Sequence, residues 1–210
     1  MSPVTPAPRE LDHHSLADHH SLAGLRSLLA ADFARVLRQT TGGRPVAGLR
    51  RLMHLSLPAM QVAALHRVAH LLHGRGHRRA AALVAGVCRT LTGASFHPGA
   101  RIGPGLFVPH PARVAFCAGA GRGLTVLPSA LVGPEVWPAP GQPFPADAPR
   151  LGDDAVVGAH AAVWGDVSVG DGAWIGIGVC TRRDVPAGTV TMLPQRLTRT
   201  PPAAEAGDGA

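Results

Sequence analysis

His110 lies in a segment that could hold an imidazole in a fixed position. It ends the segment 106–110 (LFVPH), in which apolar residues and a proline precede the imidazole. An unperturbed imidazole has a pKa of about 6.5, so the neutral form that accepts a proton is available near pH 7. A histidine in a stiff, apolar segment therefore suits a fixed general base. The alternative is an exposed histidine without a chemical role.

Other histidines are grouped in patterns that bind metals in some proteins. His66, His70 and His73 follow one another at spacings of four and three on a predicted helix, which metal ligands can use. The favoured alternative is a solvated or interface face beside the apolar stripe. The tandem repeat over residues 12–23 (DHHSLADHHSLA) also joins four histidines to two aspartates. We interpret it as a duplicated disordered lead and expect no bound metal.

Composition excludes several classes of partner. All 20 basic residues are arginine, and 12 of them lie in residues 1–95 beside four acids. This half lacks the interleaved aromatics of nucleic-acid readers, so we expect no nucleic-acid partner. Cys88, Cys117 and Cys180 form neither a disulfide framework nor a CxxC pair, which fits a reducing compartment. No apolar run is long enough for a signal peptide or a membrane span, so we expect a cytoplasmic protein without a membrane partner.

A helical periodicity covers the first half of the chain after a lead over residues 1–21. We expect an α-helical domain over residues 22–95. Its predicted helices cover residues 22–37, 46–55, a segment that begins at Pro58 and ends at Gly74, and residues 77–91. Glycine pairs and Pro58 supply the stop and start signals.

A repeat of six residues begins at Phe96. Read in hexads from Phe96 to Trp137 and from Leu151 to Pro186, the first position is apolar in 12 of 13 hexads, and the fifth is a small or medium aliphatic in all 13. The pattern predicts short strands and corners that stack as a three-sided parallel coil, with an unbroken phase within each of the two runs. The second run resumes out of phase with the first. The loop over residues 137–150, with five prolines, is expected to leave one edge as a stiff excursion. Residues 191–210 are expected to be a flexible tail.

Two segments together resemble the serine O-acetyltransferase family. The segment from Phe96 to His110 (FHPGARIGPGLFVPH) and the helix segment 66–72 (HRVAHLL) carry the likeness, which covers about residues 50–190. The resemblance implies an α+β fold, with an N-terminal α-helical segment followed by a left-handed parallel β-helix over residues 96–190. It also implies a homotrimer with active sites at subunit clefts, acetyl-CoA as co-substrate, no tightly bound cofactor, and His110 as the catalytic base.

The implied reaction is the transfer of acetyl from acetyl-CoA to L-serine, which gives O-acetylserine for cysteine biosynthesis. The acceptor hydroxyl would attack the thioester directly, without an acyl-enzyme. The residues implied to face the donor are small ones that form a flat wall for pantetheine and two arginines for the CoA phosphates: Gly158, Ala159, Gly176, Gly178, Arg182 and Arg183. For the two arginines a solvated charge pair is an equal alternative.

The sequence departs from the family at the acceptor side. Ser95 stands at the position of the family's catalytic aspartate and could orient an imidazole only weakly. Pro109 replaces an acidic residue, Asp147 and Ala148 replace an arginine and a histidine, and Arg44 lies near a further acidic position. These losses leave two alternatives open, an O-acyltransferase for a different hydroxyl acceptor (a sugar or biosynthetic intermediate) and a catalytically silent β-helix scaffold. A γ-class carbonic anhydrase is disfavoured, because His97, His110 and His160 lack the spacing of three zinc ligands.

Overall fold

The computed structural model describes residues 20–139 and 141–194. Most of the expected lead and most of the expected tail lie outside these residues. Four α-helices come first: α1 (Leu22–Thr41), α2 (Leu49–Met53), α3 (Pro58–Gly74) and α4 (Arg78–Thr92), with a 3₁₀ turn at His54–Ser56 after α2. No helix of the described residues is long and apolar enough to span a bilayer.

The ends of the helices follow from their capping residues. The side chain of Ser21 accepts a hydrogen bond from the N–H of Gly24 and caps α1. Gly42 adopts the left-handed conformation that ends α1. The last helical residue, Thr41, lies four residues beyond the predicted end at Leu37. The helix predicted over residues 46–55 is too long, since α2 contains only five residues. None of these five residues is buried. Without packing, so short a helix has nothing to extend it.

Twelve short strands form three parallel sheets. Sheet 1 contains β1 (Ser95–Phe96), β2 (Ala115–Phe116), β5 (Leu131–Gly133), β8 (Ala162–Trp164) and β11 (Cys180–Thr181). Sheet 2 contains β3 (Gly119–Ala120), β6 (Arg150–Leu151) and β9 (Ser168–Val169). Sheet 3 contains β4 (Thr125–Val126), β7 (Val156–Val157), β10 (Trp174–Ile175) and β12 (Val190–Thr191).

The chain visits sheets 1, 2 and 3 in turn and then returns to sheet 1. We call each passage a round. Strand β1 opens round 1, and isolated bridges at Ile102 and Phe107 carry that round through sheets 2 and 3. Strands β2, β5, β8 and β11 open the next four rounds of the described chain. Each round therefore pairs its backbone with the rounds above and below it.

Apolar side chains of the hexads fill the space between the three sheets. Phe116, Leu124, Val132 and Val163 are fully buried, and the Phe116 ring stacks on that of Phe96 at 5.3 Å between centroids. These contacts join successive rounds into one continuous core. Large side chains such as these each contribute about 1.5–3 kcal/mol by burial.

The hexad phase is broken at the proline-rich loop, in round 5, where Thr181 and Val185 are only four residues apart, and at the end of round 1. Phe107 in sheet 3 is followed by Ala115 in sheet 1, a step of eight residues, whereas Thr125 and Leu131 are six apart in round 2. The next side is two residues short, because Phe116 and Ala120 are four apart. The prediction of an unbroken phase is therefore wrong here. The extra residues enlarge the corner that carries His110.

The proline-rich loop leaves the coil between β5 and β6 and packs back against it. The indole of Trp137 covers Gly133, where an added Cβ would lie 2.7 Å from the ring. The Phe144 ring lies 5.7 Å from that of His97, and Ala148 is buried. Phe144 therefore returns the loop to round 1, while Trp137 packs on β5 of round 3.

Candidate active site

His110 lies exposed at the enlarged corner between sheet 3 and sheet 1 of round 1. Prolines on either side, Pro109 and Pro111, fix the backbone φ angle next to the histidine. Within the described part of the chain, no hydrogen bond or ion pair engages the imidazole. Both ring nitrogens are therefore open to a substrate that approaches this corner.

A ladder of backbone hydrogen bonds continues the His110 corner through the lower rounds. The N–H of Ser129 donates to the carbonyl of Ala112 at 3.0 Å, and the N–H of His160 donates to the carbonyl of Pro128 at 3.0 Å. The N–H of Gly178 then donates to the carbonyl of Ala159 at 2.9 Å. We call this column of corners the His110 edge. The fold thus brings the predicted base and predicted donor residues to one edge, although up to 68 positions separate them in the sequence.

Gly158 and Gly176 lie at the start of this edge, where successive rounds stack closely. A Cβ on Gly158 would lie 2.6 Å from the carbonyl oxygen of Ile175, and one on Gly176 would lie 2.2 Å from that of Thr191. Side chains cannot occupy these positions without separating the rounds. Close packing of successive rounds therefore requires glycine at both positions. The absence of side chains there is a consequence of this packing.

Ser95 lies on β1, opposite Ala115 of β2, and is partly buried. Its N–H donates to the carbonyl of Val114 at 2.8 Å, which fixes the strand. No hydrogen bond joins the Ser95 hydroxyl to His110 within the described chain. The two predicted catalytic residues are therefore not hydrogen-bonded to each other in the described chain.

The two predicted phosphate-binding arginines differ in their surroundings. The guanidinium of Arg182 forms an ion pair with Glu135, which lies at the root of the proline-rich loop. Arg183 is exposed, and among the described residues its side chain has no ionic partner. Arg183 is therefore the freer of the two to meet a phosphate.

The segment 147–150 lies at a different corner, between sheets 1 and 2. Burial, and then the nearby charge of Asp147, raise the pKa of the Cys117 thiol to about 12. Ala148 is buried, and Arg150 begins β6 and pairs with Asp166 at 2.6 Å. This segment and His110 follow different corners of one chain, so they do not meet within it.

His66, His70 and His97 belong to the interface between α3 and round 1. His66 is 2% exposed and His70 is 4% exposed, so of the solvated or interface face that was expected, both histidines lie in an interface. Burial is the main cause that lowers the pKa of His66 well below its usual value, and it lowers the pKa of His97 too. The described residues contain no group of three or more side chains arranged to hold a metal ion.

Sequence reasoning missed Asp32 and left His160 unassigned. Asp32 is fully buried on α1 and accepts hydrogen bonds from round 1. It is the only acidic residue between positions 19 and 134, which was a signal available in the sequence. His160 is exposed on the His110 edge with φ of 56°, two rounds below His110. A left-handed φ is uncommon outside glycine, and the hydrogen bond from the His160 N–H to the Pro128 carbonyl holds the corner in this conformation.

Sequence comparison shows that most of this chain is similar to known serine acetyltransferases. The chain is 33% identical over 177 residues to serine acetyltransferase from Synechococcus elongatus, covering 80% of this chain and 67% of the relative. It is 30% identical over 171 residues to serine acetyltransferase from Helicobacter pylori, covering 78% of this chain and 92% of the relative.

Solved structures of serine acetyltransferases have a similar fold. Serine acetyltransferase isoform 3 from Entamoeba histolytica, in complex with cysteine, superposes with a TM-score of 0.70 at 23% identity. The match covers 89% of this chain and 63% of that one, so this chain spans less than two thirds of that protein's length. None of the protein-family models that were scanned matches the chain.

Proposed function

The chain belongs to the serine acetyltransferase family, and we propose on that premise that it transfers acetyl from acetyl-CoA to the hydroxyl of L-serine. The observation that carries the proposal within the molecule is the His110 edge. His110 is exposed, makes no hydrogen bond or ion pair within the described chain, and lies at the top of a column of corners that includes Gly158 and Gly176. The product, O-acetylserine, is a precursor for cysteine biosynthesis.

His110 acts as general base in the proposed reaction. Its neutral imidazole accepts the proton of the acceptor hydroxyl as the oxygen attacks the thioester carbonyl. A C–O bond forms, the C–S bond breaks, and the proton passes from the imidazolium to the departing CoA thiolate. Backbone N–H groups of the corner stabilise the oxyanion of the tetrahedral intermediate.

Ser95 is the weak element of the proposed machinery. A serine hydroxyl brings no charge to stabilise an imidazolium, whereas an aspartate does. By analogy with the serine-protease triad, loss of such an aspartate costs up to about 10⁴ in rate. We therefore expect slow turnover relative to relatives that carry aspartate at this position, and Ser95→Asp should raise kcat.

The donor is proposed to lie along the His110 edge as acetyl-CoA, with no tightly bound cofactor. The pantetheine arm passes the stacked corners of rounds 3 and 4, beside Gly158, Ala159, Gly176 and Gly178. Arg183 meets a phosphate, and Arg182 contributes once it leaves Glu135. The small hydroxyl acceptor then approaches His110 from the open side.

A homotrimer with a left-handed β-helix in each subunit is the proposed assembly. The three sheets give each chain a triangular outline, which three copies can pack along their edges. Because the His110 edge and the segment 147–150 do not meet in one chain, a neighbouring copy would bring its own segment 147–150 to His110. The active site is then shared between subunits.

Release of CoA thiol tests the proposed function directly. Wild type with acetyl-CoA and L-serine should release thiol above the hydrolysis background, and His110→Ala should return the rate to that background. His77→Ala, at another exposed histidine, is the matched control and should keep the wild-type rate. Equal rates for wild type and His110→Ala with every acceptor would overturn the enzyme proposal in favour of a silent scaffold.

A different hydroxyl acceptor is the second candidate, and the acceptor-side residues favour it. Pro109, Asp147 and Ala148 offer no cation to a carboxylate. The assay should therefore include serine amide and simple sugars beside L-serine. Faster thiol release with serine amide or a sugar than with L-serine would select this second candidate, while His110→Ala would still abolish the rate.

A further inference from the structure

Asp32 and Arg67 form a buried ion pair beneath round 1. Nε of Arg67 donates to Oδ2 of Asp32 at 2.9 Å, and Nη2 donates to Oδ1 at 3.2 Å. The Arg67 side chain is 1% exposed and the Asp32 side chain is 0% exposed. The pair joins α1 to α3, and both charges are neutralised in a site without water access.

The same two side chains hold one corner of round 1 through its backbone. Oδ1 of Asp32 accepts hydrogen bonds from the N–H groups of Gly105 and Leu106, both at 2.8 Å. Arg67 donates to the carbonyl of Gly103 at 2.7 Å and also to the carbonyl of Ile102. We call Asp32, Arg67 and residues 102–106 the clamp. It engages backbone N–H groups and backbone carbonyl groups of the same turn.

The clamp lies immediately before the segment that carries His110. Leu106 is four residues upstream of His110, and Phe107 between them packs against Val36 and Met60 of the helices. The N–H of Phe107 also donates to the carbonyl of Leu124 at 2.9 Å. The orientation in which the chain leaves the clamp therefore sets the start of the His110 corner.

The His110 corner needs such a restraint more than the corners below it. It is two residues longer than the corner between Thr125 and Leu131, and its imidazole has no partner within the described chain. On the downstream side the N–H of Arg113 donates to the carbonyl of Gly93 at 3.1 Å. The corner is thus anchored at its two ends, with the clamp as the charged anchor.

We propose that Asp32 and Arg67 are positioning residues for His110, a role that rests on the proposed function. They act through residues 103–107 and contact neither donor nor acceptor. An amide in place of the Asp32 carboxylate turns one acceptor oxygen into an NH₂ donor and removes the charge that pairs with Arg67, so the corner shifts and carries the imidazole with it. Displacements of about 1 Å at a reacting group can cost about a hundredfold in rate.

Asp32→Asn tests the proposal, and Asp154→Asn is its matched control. Asp154 pairs with Arg35 of the same helix at 3.5 Å, but it is 72% exposed and lies on round 3. We expect Asp32→Asn to lower kcat by about tenfold to a hundredfold and to leave the KM for acetyl-CoA within about twofold. Asp154→Asn should keep both constants. Val163→Ala, a core truncation in β8, serves as the control for lowered stability at an assay temperature below its unfolding transition.

Two measurements without substrate separate this proposal from the proposed function. Hydrogen exchange at Gly105 and Leu106 should accelerate in Asp32→Asn, and not in Val163→Ala. The ¹³C-labelled imidazole signals of His110 should shift or broaden in Asp32→Asn alone. Where the Asn variant does not fold, Arg67→Lys keeps the charge, loses the bidentate contacts and is expected to give the same changes.

Unchanged His110 signals in both clamp variants would overturn the proposal, as would a kcat equal to that of Val163→Ala. Absence of thiol release in wild type would overturn the proposed function instead. In that case the His110 signals alone decide whether the clamp positions the imidazole.

Discussion

The buried His66 predicts a loss of stability in mild acid. It is 2% exposed, and among the described residues neither ring nitrogen makes a hydrogen bond of good geometry. Burial and then the charge of Arg67 lower the pKa of His66 well below its usual value. The unfolded chain therefore takes up a proton near pH 6.5 while the folded protein does not. The stabilising contribution is present above that pH and is lost as the pH falls below it.

The expected magnitude follows from this difference in proton uptake. Each such histidine lowers the free energy of unfolding by about 1.4 kcal/mol for each pH unit below its unfolded pKa. Between pH 7.5 and 5.5 His66 accounts for about 1.4 kcal/mol. Burial also lowers the pKa values of His73 and His97, so the whole protein should lose more than this.

Urea unfolding of wild type and His66→Phe at pH 7.5 and 5.5 measures the effect. Phenylalanine fills the site beside Phe96, whose ring lies 5.4 Å from that of His66, and it has no proton to gain. The variant should lose about 1.4 kcal/mol less than wild type between the two pH values. At pH 7.5 it should be as stable as wild type or more so, because an unsatisfied buried polar group is removed.

The comparison needs a fixed protein concentration, because association would couple to unfolding. His77→Asn replaces an exposed histidine and should keep the wild-type dependence on pH. The reasoning is refuted if wild type and His66→Phe lose the same free energy of unfolding between pH 7.5 and 5.5.

Three further predictions concern thiols, glycines and arginines. Exposed Cys180 should react rapidly with an aromatic disulfide reagent at pH 8, while Cys117 reacts only after denaturation, since burial raises the pKa of its thiol; rapid labelling of Cys117 would contradict the structure. Gly176→Ala should lower the thermal midpoint by several degrees in calorimetry, because its Cβ would meet a backbone carbonyl oxygen at 2.2 Å; an unchanged midpoint would contradict it. In steady-state assays Arg183→Ala should raise the KM for acetyl-CoA more than Arg182→Ala does, and the reverse order would count against the proposed donor path.

The apolar hexad positions predicted the core of the C-terminal half well. Positions such as Val132 and Val163 are apolar for the reason the pattern suggests, because they fill the space between three sheets. The break in phase at the end of round 1 was not visible, since Val114 and Phe116 are both apolar and both buried. Either residue satisfies the pattern, and only the pairing of Phe116 with Phe96 and Val132 decides between them.

The site was only partly predictable for a related reason. His110 was predicted as the base from the family resemblance of segment 96–110, and its exposure agrees with a substrate-facing role. Asp32 was not, because its partners Gly105 and Leu106 lie more than 70 positions away and are backbone groups. His66 and His70 carry a polar pattern but lie buried, since helix α3 packs its polar stripe against round 1.

Transfer of a labelled acetyl group tests the central claim most directly. Wild type incubated with ¹³C-acetyl-CoA and L-serine should convert the thioester signal into the ester signal of O-acetylserine, at a rate above that of acetate formation. His110→Ala should give acetate alone, at the rate of the uncatalysed control. An ester signal of equal rate in His110→Ala, or acetate as the sole product of wild type with every acceptor, would contradict the account.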